Sequence, residues 1–133
     1  MDKLEGKIRS FKKALITFNE LIKDNPTDVE RDAAIQRFEY CFELAWKSLK
    51  EVLKKEGFTI EELSSPKKVI KTAFQASYIA NDEIWITMLQ ERNLTSHTYN
   101  EQLAKDIYND FKPFYEAMIH ILEKIIKNEM LKV

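Results

Sequence analysis

Two glycines, Gly6 and Gly57, and three prolines, Pro26, Pro66 and Pro113, are all the backbone breakers that the chain contains. With turn residues so scarce, and Lys, Glu, Leu, Ile and Phe abundant, the chain has few places to reverse direction. A few long helices are what remains. The expected fold class is all-α, an up-and-down antiparallel bundle of four to five helices. At 133 residues the chain fits one domain, residues 1–133, long enough to bury a single core.

Apolar spacing predicts where the helices run. Leu4, Ile8, Phe11, Leu15, Phe18 and Ile22 recur every three or four residues, which gives a first helix from about Asp2 to Lys23. Asp24 to Asp28 forms a turn around Pro26, with Thr27 or Asp28 free to cap the next helix. That helix, about Val29 to Glu56, carries Ile35, Phe38, Phe42, Ala45, Leu49 and Val52 on one stripe, widened by Cys41, Trp46 and Leu53. Gly57 ends it, and Phe58 to Ser64 reads as a connector holding one short turn. Ser65-Pro66 opens a third helix to about Tyr78, offering Val69, Ile70, Ala73 and Phe74 to the core. Asn81-Asp82 recaps a fourth from about Glu83, which presents Trp85, Met88 and Leu89 and ends near Leu94. A last helix starts at Thr98, where Thr98-Tyr99-Asn100-Glu101 has the form of a capping box, and runs close to the C-terminus. Pro113 lies within it, so a kink or lost hydrogen bonding is expected about one turn earlier.

Charge and motif content exclude several functions. Lys plus Arg number 21 against 22 Asp plus Glu, so no global positive field drives nucleic-acid binding, and any RNA contact is local. Isolated glycines rule out a P-loop or a dinucleotide fingerprint. Without a Gly-Ser pair followed by Asp-x-Asp, the chain is not itself a nucleotidyltransferase. Cys41 falls between Phe38 and Phe42 on a helical stripe and reads as core, and one cysteine forms no internal disulfide. No apolar run reaches membrane-spanning length and no signal peptide is evident, so the expected compartment is the cytoplasm. His97 and His120 are far apart and lack Cys companions, so neither a metal nor any other cofactor is expected.

Arg92-Asn93-Leu94-Thr95-Ser96-His97-Thr98-Tyr99 is the stretch that gathers chemistry. On an unbroken helix Arg92 and His97 would lie about 140° apart and share no face. A helix end near Leu94 and a restart at Thr98 instead let Arg92 close one helix while His97 stands outside the next N-terminus. That N-terminus attracts a phosphate, a guanidinium holds it bidentately, and a neutral imidazole moves protons beside it. In RNA the 2′-hydroxyl is a built-in nucleophile, so a metal-free cut needs only a base and a cation. A plainer arrangement is equally open: Arg92 can pair with Glu91 or Glu101, and Tyr99 can pack its ring and expose its hydroxyl. The lysines Lys67, Lys68 and Lys71 read first as a solvated helix start.

The same stretch resembles the R-x4-H-x-Y motif of HEPN-domain proteins, in particular the small helical subunits encoded beside minimal nucleotidyltransferases. The resemblance extends to Phe38-Glu39, Phe42 to Lys47, Gly57, Ser65-Pro66 and Trp85. It implies a helical bundle that forms a homodimer and joins a small nucleotidyltransferase partner in a heterotetramer. In the toxin–antitoxin version it implies a metal-independent ribonuclease. Arg92 would bind phosphate, His97 would act as acid or base, and Asn93 would orient the nucleophile or phosphate. Tyr99 would be the hydroxyl that the partner adenylylates. The alternative implied by the family is a non-catalytic substrate-binding subunit of a two-component nucleotidyltransferase.

Overall fold

The computed structural model describes residues 3–133, in six helices joined by short turns. They are α1 (Lys3–Glu20), α2 (Asp28–Lys55), α3 (Pro66–Gln75), α4 (Asp82–Leu94), α5 (Glu101–Tyr108) and α6 (Phe111–Asn128). A 3-10 turn, Thr95–His97, leads from α4 toward α5. Asp2, where the first helix was expected to begin, lies outside the described residues.

Contacts at the two poles give the topology. At one pole Lys3 at the start of α1 pairs with Glu51 near the end of α2, at 3.4 Å, and Lys55 pairs with Glu129 beyond α6, at 3.0 Å. At the other, the Tyr108 hydroxyl ending α5 accepts from the Lys23 N–H at 2.7 Å and donates to the Leu21 carbonyl at 2.6 Å. Tyr78, ahead of α4, donates to Glu56 at 2.9 Å, which sets the start of α4 at the first pole. Thus α1 and α4 run one way and α2 and α6 the other, while α3 and α5 turn the chain between them.

Local chemistry explains the ends. Thr27 caps α2 through a reciprocal box, its hydroxyl accepting from the Glu30 N–H while the Glu30 carboxylate accepts from the Thr27 N–H. Gly57 at φ +101° takes the left-handed position that closes this helix. Ser65 caps α3 with Pro66 in its first turn, and Asn81 caps α4 by accepting from the Glu83 N–H at 3.0 Å.

The expected last helix is two. Pro113 is the third residue of α6; it has no N–H to give to Asn109, and its ring crowds that carbonyl, so the helix breaks at Asn109-Asp110. This is one turn before the proline, as its position predicts, and it brings the helix number to six instead of four or five. Phe111 then turns inward against Phe18 (5.1 Å between ring centres) and Phe38 (5.0 Å), and Phe38 stacks on Phe114 at 5.5 Å. Leu4, Ile8, Leu15, Leu49, Val52, Val69, Met118 and Ile125 complete the core, with Cys41 fully buried among them.

Two further expectations are corrected. Phe74 is 42 % exposed instead of in the core. Its turn of α3 buries Thr72, whose hydroxyl donates to the Glu62 carbonyl at 3.4 Å, so the connector before α3 covers that face. Thr98 does not cap α5: its hydroxyl donates to the Thr95 carbonyl at 2.9 Å, inside the preceding turn. Asn100, extended at φ −79°, is the cap, accepting from the Leu103 N–H at 3.1 Å.

Candidate active site

Arg92 occupies the last turn of α4, on the stripe of Trp85 and Met88 that faces inward. Its carbonyl accepts both the N–H and the hydroxyl of Thr95, the latter at 2.7 Å, so the buried Thr95 tightens the helix end into the 3-10 turn. Asn93 and Leu94 face solvent. His97 is exposed at the end of the turn, and its carbonyl accepts the Asn100 N–H at 3.1 Å, placing it just outside the N-terminus of α5. Tyr99 stands 86 % exposed, its ring edge-on to that of His97 with centres 6.1 Å apart at 74°.

The partner of Arg92 is neither Glu91 nor Glu101. Its Nη2 contacts Oε1 of Glu43 on α2, with the two side chains 38 % and 29 % exposed. The second oxygen of Glu43 holds Lys47 at 3.3 Å, one helical turn on. Glu101 instead pairs with Lys105 along α5. The inward stripe of α4 turns Arg92 toward α2, a direction that its neighbours in sequence do not reveal. Among the described residues the structure draws no hydrogen bond between Arg92 and His97. It joins His97 to Tyr99 and Arg92 to Glu43.

On the other flank of α4, Glu91 has a buried carboxylate oxygen with no donor, and the Asp110 carboxyl stands against it. Burial, then hydrogen bonding with Asp110 and its charge, push the Glu91 carboxyl up to about 8, so the pair holds a proton at neutral pH. Asp110 sits at the N-cap position of α6 yet makes no capping bond there. Periodicity had no means to pair residues 91 and 110.

The remaining reactive groups stay apart. Burial raises the Cys41 thiol to about 12, which leaves it protonated and inert. His120 is exposed on α6 and far along the chain from His97. Among the described residues no three His, Cys, Asp or Glu side chains gather as a metal site, and no helix is long and apolar enough to cross a membrane. What the arrangement offers is a half-exposed guanidinium, an imidazole and a phenol around one helix break.

Comparison with known proteins agrees with this architecture. Over 86 % of the chain and 98 % of its counterpart, the fold matches a crystal structure from Thermus thermophilus at 40 % identity and a TM-score of 0.80. A Haemophilus influenzae structure, described as revealing the fold of a substrate binding domain of a nucleotidyltransferase, shares the fold at a TM-score of 0.71. That likeness covers 92 % of this chain and 96 % of the other, at 23 % identity. Probable ribonuclease HepT of Haemophilus influenzae (strain ATCC 51907 / DSM 11121 / KW20 / Rd) is 28 % identical over 94 residues, 69 % of this chain. The matched region spans 64 % of that relative's length. Residues 6–127 match the model of the proteins described as nucleotidyltransferase substrate binding protein like. With nearly its whole length matched, the chain belongs to the nucleotidyltransferase substrate-binding-protein-like family.

Proposed function

We propose that this chain is the HEPN subunit of a two-component HEPN–nucleotidyltransferase system and acts as a metal-independent endoribonuclease, silenced when its partner adenylylates Tyr99. The observation that carries the reading is the exposed Tyr99 ring lying edge-on to His97, so that a group added to one covers the other. The likeness to a protein named probable ribonuclease HepT supports it.

In the reaction a 2′-oxygen attacks the adjacent phosphorus, the bond to the 5′-oxygen breaks, and a 2′,3′-cyclic phosphate and a 5′-hydroxyl result. His97 takes the 2′-hydroxyl proton and returns one to the leaving 5′-oxygen, Arg92 holds the phosphate, and Asn93 orients it. A homodimer doubles these groups, and the partner completes a heterotetramer. In silencing, the Tyr99 oxygen attacks the α-phosphorus of ATP at the partner's site and pyrophosphate leaves. The added AMP blocks RNA by bulk and by negative charge.

Purified protein should cut RNA in EDTA, and His97→Ala and Arg92→Ala should each lower the rate by about 10²-fold or more. Cleavage that persists in both variants counts against the reading. Mass spectrometry after incubation with partner and ATP should find AMP on Tyr99 and none on Tyr99→Phe. A second reading, a non-catalytic substrate-binding subunit, is favoured by one observation: Arg92 is already engaged by Glu43 and unbonded to His97. Protein that neither cuts RNA nor accepts AMP would favour it.

A further inference from the structure

The ion pair that occupies Arg92 has a chemical consequence of its own. A guanidinium on a free stem samples many rotamers, each aiming its donors elsewhere, so holding it in one place costs side-chain entropy. Here Nη2 is held by Glu43, a residue of the longest helix, while the other donors of the fork make no bond among the described residues and the side chain stays 38 % exposed. A lone carboxylate there would repel a phosphate. Glu43 is not alone, because its second oxygen holds Lys47 at 3.3 Å. Lys47 in turn lies 5.9 Å from the centre of the Trp46 ring, with Lys50 at 6.0 Å from the same ring. Arg92, Glu43 and Lys47 together carry one net positive charge.

Resting on the proposed ribonuclease reading, we propose that Glu43 is a positioning residue. It fixes Arg92 so that the free donors of the guanidinium meet the scissile phosphate, while Lys47 offsets the repulsion that its carboxylate would otherwise exert. The two residues therefore act on binding in opposite directions. Loss of the Glu43 charge attracts RNA more strongly but leaves Arg92 poorly aimed. Loss of Lys47 leaves the aim intact and exposes the phosphate to an uncompensated carboxylate.

The test is steady-state cleavage of an RNA oligonucleotide in EDTA by the full chain and its variants. Glu43→Ala is expected to lower kcat by about tenfold or more, given the sensitivity of phosphoryl chemistry to small misplacements, with KM unchanged or lower. Glu43→Gln, which keeps an acceptor for the guanidinium, should recover part of kcat while KM falls. Lys47→Ala should raise KM with little change in kcat. Wild-type kcat in Glu43→Ala, or a KM that rises in both Glu43 variants, overturns the inference. If Glu43→Ala does not fold, the opposed KM shifts of Glu43→Gln and Lys47→Ala decide the matter. An activity-independent measurement separates this inference from the reading beneath it. Nitrogen-15 relaxation should show the Arg92 Nε–H rigid in the wild type and mobile in Glu43→Ala, which leaves the guanidinium no acceptor. Equal mobility in both overturns the positioning role, whereas absence of cleavage by a wild type with a rigid Arg92 overturns the ribonuclease reading instead.

Discussion

Glu91 and Arg92 are neighbours on α4, turned about 100° apart, and they meet opposite surroundings. Arg92 faces α2 and finds Glu43, a counter-charge that is itself balanced by Lys47. Glu91 faces the joint between α5 and α6 and finds Asp110, another acid, with a buried oxygen left without a donor. The first pair is half-exposed, with the remaining guanidinium donors open to solvent. The second is dry enough to keep a proton. One helix end therefore holds a cation available to ligand on one side and a neutralised acid pair on the other.

The comparison is broken most severely by removing the floor under its drier side. Phe111 follows Asp110 directly and packs fully buried against Phe18, Phe38 and Tyr108. Phe111→Ala should cost about 3–5 kcal/mol in denaturant unfolding. A cost below about 1 kcal/mol would mean that the joint holding Asp110 is not set by this ring.

Glu91→Gln should have the next largest effect, and its sign follows from proton counting. The folded state keeps a proton on Glu91 that the unfolded state releases above pH about 4.5, so wild-type stability falls as pH rises from there toward about 8. The amide removes that slope. Because the Glu91 side chain is only partly buried, the gain near pH 8 should be no more than about 1 kcal/mol. Equal pH slopes in wild type and variant, measured by thermal unfolding, would show that Asp110 leaves Glu91 ionised. Glu43→Gln should move stability least, by about 0.5 kcal/mol or less, since half-exposed ion pairs contribute little to folding. A loss above about 1 kcal/mol would recast the Glu43–Arg92 pair as a structural clasp.

Periodicity and punctuation made most of the fold legible, because helix propensity, caps and apolar stripes are local properties. Thr27, Ser65, Gly57 and the break ahead of Pro113 all stand where short-range chemistry puts them. The cap of α5 lies two residues beyond Thr98 because Thr98 has two competing uses for its hydroxyl, and the 3-10 turn takes it. Phe74 was misplaced because α3 has a second apolar direction that only the neighbouring connector resolves. The motif residues were legible as one stretch of chain; in the fold His97 lies beside Tyr99, while Arg92 turns away to Glu43. Glu43 and Asp110 were not, since each meets its partner across 49 or 19 positions of chain, where no local pattern reaches.

The break forced by Pro113 has one more effect. It leaves α5 only eight residues long, too short to hold a helix by its own hydrogen bonds without the packing of Ala104, Ile107 and Tyr108. The turn that carries His97 and Tyr99 is thus anchored upstream by α4 and downstream by the segment most easily opened. Amide hydrogens of α5 should exchange with solvent ahead of those in α2 and α6, and each opening loosens the motif turn with it. Whatever binds across His97 and Tyr99 would then slow exchange in a helix that it does not touch.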